Sequence, residues 1–258
     1  MSTEKFEKYL KAESAKVRIS GSGTYDGKVL RSSGSCSVTG NLNVDEVSTS
    51  GSFRCDGNIT VENTFISSGS ARVIGSLKAG NVKTSGSFSI GGDVEVRDEA
   101  RFSGSVHVGG DVKCTTLKAS GSIRARNIKA DVIRISGSVT AEKIEGKCIR
   151  IECYGTSTVA EIKGDEVILL GRLEETVINF FGILKISRKS RKGILRTEKI
   201  AGCSVELEYV ECKEVYGEDI TIGEGSIVRD VYYVKNLRVD PKATVTGKCI
   251  KIEKLETN

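Results

Sequence analysis

The chain has 258 residues, of which 29 are glycine and one is proline; it has no tryptophan, 28% charged residues and a formal net charge of +5. Disordered Gly-rich chains carry abundant proline and few β-branched residues, whereas valine and isoleucine recur here at regular spacing, so the glycines read as punctuation in an ordered chain. The mild basicity and 5% aromatic content exclude the strongly basic, aromatic-interleaved pattern of a nucleic-acid binder, and no apolar stretch approaches the roughly 18 residues of a membrane span.

Residues 1–16 place Phe6, Tyr9 and Leu10 among Lys5, Lys8 and Lys11, a pattern compatible with a short amphipathic helix. Two readings stand side by side: a cap folded over the first rung of a repeat, or a segment that attaches to a membrane surface by its apolar face and lysines.

Residues 17–171 carry a Ser-Gly-Ser motif centred on Gly21, Gly34, Gly51, Gly69, Gly86, Gly104, Gly121 and Gly137, spaced by 16 to 18 residues after a first step of 13. Two residues beyond the glycines, from Gly34 on, lie Cys36, Phe53, Ala71, Phe88, Val106, Ile123 and Val139. Four beyond lie Val38, Cys55, Val73, Ile90, Val108, Ala125 and Ala141. Apolar columns two residues apart are one face of a strand. Six beyond come Gly40, Gly57, Gly75, Gly92 and Gly110, read as a column of turns where positive φ is cheap. A second pair follows that corner, as in Leu42 and Val44 or Ile59 and Val61, and a third closes the rung, as in Phe65 and Ser67 or Ala100 and Phe102. Three strands and three corners per repeat predict an all-β fold: a single-stranded parallel β-helix, three-sided, with 16–18 residues per rung. Variable rung length and two apolar positions per face favour the right-handed form.

Residues 172–200 lose this register and are expected to be an irregular insertion. Phe180, Phe181, Ile183, Leu184 and Ile186 are apolar there, and Ser187 to Gly193 (SRKSRKG) reads as a basic loop leaving the coil. Arg188, Lys189, Arg191 and Lys192 are candidate contacts for anionic lipid or an acidic partner, with plain solvation the competing reading. Residues 201–258 resume C-terminal β-helix rungs. Cys203 and Val205, Ile220 and Ile222, Leu237 and Val239 follow at steps of 17, and Ile250 and Ile252 close the final rung.

The chemistry is sparse. Eight cysteines include no CxxC pair, and the only histidine is His107. Cys36 falls in the column of Phe53 and Phe88, and Cys55 in that of Val73 and Ile90, so the cysteines read as small core hydrophobes rather than metal ligands. His107, between Val106 and Val108, is expected to point outward as a surface residue. One histidine cannot supply three zinc ligands, and a lone outward one reads as a solvated surface residue rather than the base of a triad. Gly223-Glu224-Gly225 reads as a turn, and no phosphate-binding GxxxxGK[ST] is present. Asp93, Glu95, Asp98 and Glu99 are carboxylates of the kind glycosidases use, but the aromatic platforms and long loops of such enzymes are missing. No catalytic residue, metal or cofactor is expected. With no secretory signal in its first residues, the protein is expected in the cytoplasm with free thiols.

The rungs SGSFSIGGDVEV, SGSVHVGGDVKC and SGSARVIGSLKA resemble those of the bactofilins, the polymer-forming cytoskeletal family, over about residues 17 to 151; ITIGEGSIVRDVYYVKNLRVDPKATVTG resembles, less specifically, the tails of longer relatives. The resemblance implies a right-handed β-helix that polymerises end to end without nucleotide as a scaffold, often near the membrane. The implied partner is the protein itself, with a membrane surface or another scaffold protein beside it and no nucleic acid. Tyr25, Val29, Ile250 and Ile252 are then the candidate self-association ends, since unpaired strands invite another copy. The rival is a β-helical carbohydrate-active enzyme or carbohydrate-binding module.

Overall fold

Alternation of β-branched and small residues on a two-residue period favours extended backbone, and the described residues form strands, turns and bends with no helix. The computed structural model describes residues 15–171, 173–180 and 184–255. They fall into two units, Met1–Cys114 and Thr115–Asn258. Each is a β-solenoid of stacked parallel coils, in agreement with the expected parallel β-helix.

The first unit begins with β1 (Lys16–Ser20), β2 (Gly23–Tyr25), β3 (Val29–Ser32) and β4 (Ser35–Thr39). The long strands β5 (Leu42–Cys55), β6 (Ile59–Val73) and β7 (Leu77–Ile90) follow, then β8 (Val94–Val96) and β9 (Glu99–Val108). Parallel register stacks Phe53 on Ala71, Phe88 and Val106, Leu42 on Ile59, Leu77 and Val94, and Val47 on Phe65, Val82 and Ala100. All twelve side chains are buried. The predicted inward pairs on three sides are therefore present. Phe53, Phe65, Phe88 and Phe102 pack in succession with ring centroids 5.6 to 6.1 Å apart, each burial stabilising by roughly 1.5–3 kcal/mol. Thr49 and Ser67 are buried in the third column as a hydroxyl pair, Oγ1 to Oγ at 3.2 Å.

The two glycine columns exchange their expected roles. From Gly51 on, the Ser-Gly-Ser motif lies inside continuous strands and its glycines carry the left-handed backbone, with φ of +127° at Gly51 and +122° at Gly69; Gly34 does not. Of the glycines six residues further on, only Gly40 has positive φ. The others are needed for close approach: a Cβ on Gly57 would lie 2.5 Å from the Gly40 carbonyl oxygen, and one on Gly75 or Gly110 would meet the Asn58 or Asp93 side chain. Those side chains belong to a ladder that ties successive rungs. Asn58 N–H donates to Asn41 Oδ1 (2.8 Å), Ser76 N–H to Asn58 Oδ1 (2.9 Å), Asp93 N–H to Ser76 Oγ (3.0 Å) and Asp111 N–H to Asp93 Oδ1 (2.9 Å).

β10 (Val112–Arg124) precedes the strands of the second unit: β11 (Asn127–Cys153), β12 (Thr156–Gly171), β13 (Leu173–Phe180), β14 (Leu184–Lys192), β15 (Ile194–Glu208), β16 (Val210–Ile222), β17 (Ile227–Val239), β18 (Thr244–Val245) and β19 (Cys249–Lys251). β12 pairs directly with β15 in parallel, from Thr156 opposite Ile194 to Leu170 opposite Glu208. Between them β13 and β14 form a separate antiparallel sheet of two strands. The SRKSRK run therefore lies in a strand, and rung pairing resumes at Ile194.

One register differs from the 17-residue count. Val205 stacks on Ile220 and Leu207 on Ile222, a step of 15, and Cys203 is exposed. A shift of two residues keeps Val205 and Leu207 on the inward face and leaves Cys203 outside the column. The rung is shortened at Tyr209, the only non-glycine residue with positive φ (54°) among the described residues. The next step, Ile220 to Leu237 and Ile222 to Val239, is the expected 17. All eight cysteines are free; Cys36, Cys55, Cys153 and Cys212 are buried, whereas Cys148, Cys203 and Cys249 are exposed, so the core columns absorb only part of the set.

Candidate functional site

In a parallel solenoid each rung satisfies the backbone of the next, so a last rung leaves unpaired N–H and C=O groups and ends its inward columns at solvent. In the second unit β17 pairs with β16 from Glu211 opposite Ile227 to Ile222 opposite Val239. Its other edge pairs with β18 at Ile227 and Val228 and with β19 at Val231, Tyr232 and Tyr233, the Arg229 carbonyl accepting the Gly247 N–H between them. Among the described residues no strand pairs with that edge beyond Tyr233. The core columns consequently emerge. Ile222 is fully buried, while Val239 beyond it is 42% exposed. Ile220 is buried and Leu237 half-buried; Val228 is buried and Val245 half-buried; Val231 is buried and Cys249 exposed.

Two sequence-predicted end residues take other positions here. Ile250 pairs with Tyr232 and continues the outward column of Tyr216 and Tyr232, so the inward place belongs to Cys249. Ile252 is half-buried and donates its N–H to the Tyr233 carbonyl at 2.8 Å. Val239, Val245 and Cys249 were legible only by counting 17 or 18 residues on from Ile222, Val228 and Val231. The last strand is fastened by Asp230, whose Oδ1 accepts the Lys248 N–H at 3.0 Å and whose Oδ2 accepts from Arg229 Nε at 2.8 Å. The Lys248 N–H, and then Arg229, hold the Asp230 carboxyl below its ordinary range.

The first coil of the first unit is covered differently. β1 lies antiparallel on β4, with Val17 opposite Val38 and Ile19 opposite Cys36, and β2 lies antiparallel on β3, with Tyr25 opposite Leu30. Val17 and Ile19 are half-buried over the buried Val38 and Cys36. Tyr25 thus belongs to the covering strand and is 37% exposed. Val29 stands opposite Glu46, in an outward column, because Leu30 takes the inward place. Asp26 Oδ1 closes the intervening turn by accepting the N–H groups of Val29 (2.7 Å) and Lys28 (2.8 Å), which hold its carboxyl low.

The other candidate contacts are placed only in part. Phe6, Tyr9 and Leu10 lie outside the described residues. Arg188, Lys189, Arg191 and Lys192 fall on β14, with their side chains outside the description. No helix is long and apolar enough to cross a membrane among the described residues.

Catalytic material is thin. His107 is exposed between buried Val106 and Val108, as expected. Among the described residues no group of three or more His, Cys, Asp or Glu is arranged to hold a metal ion. Burial pushes the Cys114 and Cys212 thiols up to about 12. The exposed Cys148 thiol donates to Glu166 Oε2 at 2.8 Å, and this bond to a carboxylate raises its pKa. These are the reverse of the electropositive surroundings that make a thiolate nucleophile. A groove of about 980 Å³ in the second unit includes Arg196, Glu198, Glu211, Lys213 and Arg229. These five charges are engaged with one another or with the adjoining Glu214: Arg196 with Glu211 at 2.8 Å, Lys213 with Glu198 at 2.6 Å and Arg229 with Glu214 at 3.1 Å. Tyr216 stacks on Tyr232 at 4.6 Å with Lys199 Nζ 4.9 Å from its ring, so its faces do not form an open sugar platform.

Comparison with known proteins adds one positive finding. The family model Bactofilin, described as polymer-forming cytoskeletal, matches residues 33–126. That span covers the Ser-Gly-Ser motifs from Gly34 to Gly121 and bears out the family resemblance over those residues. No curated protein and no solved structure matches the chain.

Proposed function

We propose that this protein is a non-enzymatic cytoskeletal scaffold of the cytoplasm that assembles end to end into filaments without nucleotide, and does so in part at membrane surfaces. The observation that carries the reading is the last described coil of the second unit, where Leu237, Val239, Val245 and Cys249 bring core columns towards solvent and, among the described residues, no strand pairs beyond Tyr233 with the edge of β17 that faces away from β16. A second copy supplies both things this edge lacks, backbone partners and apolar cover. The polymer-forming family match supports the same reading.

Negative-stain microscopy of the purified full chain without nucleotide tests it, across salt and protein concentration. Filaments are expected. Val245→Glu places a carboxylate in an emerging column and is expected to leave short particles, while thermal unfolding stays within a few degrees of the parent. Uniform short particles from the parent protein under every condition would sink the filament reading.

A further inference from the structure

The β13–β14 hairpin contributes nothing to the rung ladder, because β12 and β15 pair with each other directly on either side of it in sequence. It forms its own sheet of two strands. Such a hairpin alone is at best marginally stable in water, and ordinarily needs a further strand or an apolar surface against it. We propose that this surface is an anionic lipid bilayer, with the far end of the hairpin entering the headgroup region and its basic base meeting the lipid phosphates. This deepens the membrane part of the scaffold reading and does not depend on filament formation.

The register supplies the pattern. Phe180 stands opposite Leu184 and Ile178 opposite Ile186, so four apolar positions share one face at the far end. Towards the base, Thr176 stands opposite Arg188, Glu175 opposite Lys189 and Leu173 opposite Lys192. From the Arg188 pair to the Leu184 pair is four residues, roughly 14 Å of strand. Interfacial elements bury their apolar face about 5–10 Å into the boundary of headgroups and acyl chains. Apolar pairs at that depth leave Arg188 and Lys189 nearest the phosphates, with Arg191 and Lys192 further out in the negative surface potential of the membrane. A groove on a protein would ask for an apolar face along the hairpin. Along the face that carries them the four apolar positions come first and Arg188 stands behind, with Asn179 and Lys185 on the other face, an order that suits the layering of an anionic membrane.

The chain has no tryptophan, so Phe180→Trp in the full-length protein is a sole reporter. With phosphatidylcholine vesicles containing phosphatidylglycerol, its emission is expected to shift to the blue and to be quenched by brominated acyl chains. Both effects should fade with added salt and on pure phosphatidylcholine. Phe180→Ser with Leu184→Ser, and separately Arg188→Glu with Lys189→Glu, should each lower vesicle co-sedimentation by roughly tenfold or more, with thermal unfolding unchanged. Unchanged Phe180→Trp emission overturns the proposal, as does parental binding by both double variants or binding lost only on removal of residues 1–14. Microscopy of the same variants separates the two readings: vesicle binding retained without filaments supports the anchor and counts against the scaffold.

Discussion

Gly69 sits at φ +122°, and a Cβ there would lie 2.5 Å from the Gly51 carbonyl oxygen of the preceding rung. Gly27 has φ +91° with nothing within 4 Å of the equivalent point. Alanine at Gly27 therefore meets backbone strain alone, and alanine at Gly69 meets strain plus a collision with main chain that cannot rotate away. Gly27→Ala is expected to lose about 1 kcal/mol of stability and Gly69→Ala about 2–4 kcal/mol. Urea unfolding of the two variants decides it; equal losses would show that rung-to-rung approach is unimportant. The periodicity of both glycine columns was legible from the sequence, but their roles were not. One letter serves both a left-handed φ at Gly51 and a missing Cβ at Gly57, and nothing in the spacing separates the two requirements.

At the scale of the strand, β19 depends on few bonds, and Asp230 makes one of the bonds that dock it. Its carboxyl is held below the ordinary value of 3.8 by the Lys248 N–H and by Arg229. A carboxylate with a depressed folded pKa contributes its stabilisation in full above the unfolded value and loses it as pH falls through the folded one. The last strand is thus expected to hold firm above about pH 4 and to loosen below it. Hydrogen exchange can follow this at Lys248, Cys249 and Lys251. In Asp230→Ala their exchange should rise roughly tenfold at neutral pH, with β16 unchanged. Equal exchange in parent and variant would assign the fastening to the other bonds of the strand. Strand register in this unit was half legible. The apolar alternation of Cys203, Val205 and Leu207 fixed which face is buried, yet it suited a 15-residue or a 17-residue rung equally until the corner at Tyr209 was placed. The loss of register after Gly171 was visible in the same way, but not that the basic run lies in a hairpin strand, since a strand and a loop both tolerate SRKSRK.

For the molecule as a whole, the first and last coils are chemically unlike. The first is covered by reversed strands that lay Val17, Ile19 and Tyr25 over its columns, and the last leaves Val239, Val245 and Cys249 uncovered. The apolar contribution to end-to-end association is therefore expected chiefly from the last coil. Cys249 reports on it directly. Of the three exposed thiols, Cys148 and Cys203 stand outside the core columns, whereas Cys249 continues the column of the buried Val231. Pulse labelling with a maleimide, read by peptide mass spectrometry, should modify Cys249 in short particles and spare it in filaments. Cys148 and Cys203 should label alike in both, which controls for bulk and crowding. Modification completed before assembly should also block filament growth, because the adduct stands where the next copy must pack. If Cys249 labels at the same rate in filaments as in short particles, the uncovered coil is not the contact between copies, and the covered coil of the first unit becomes the surface to test.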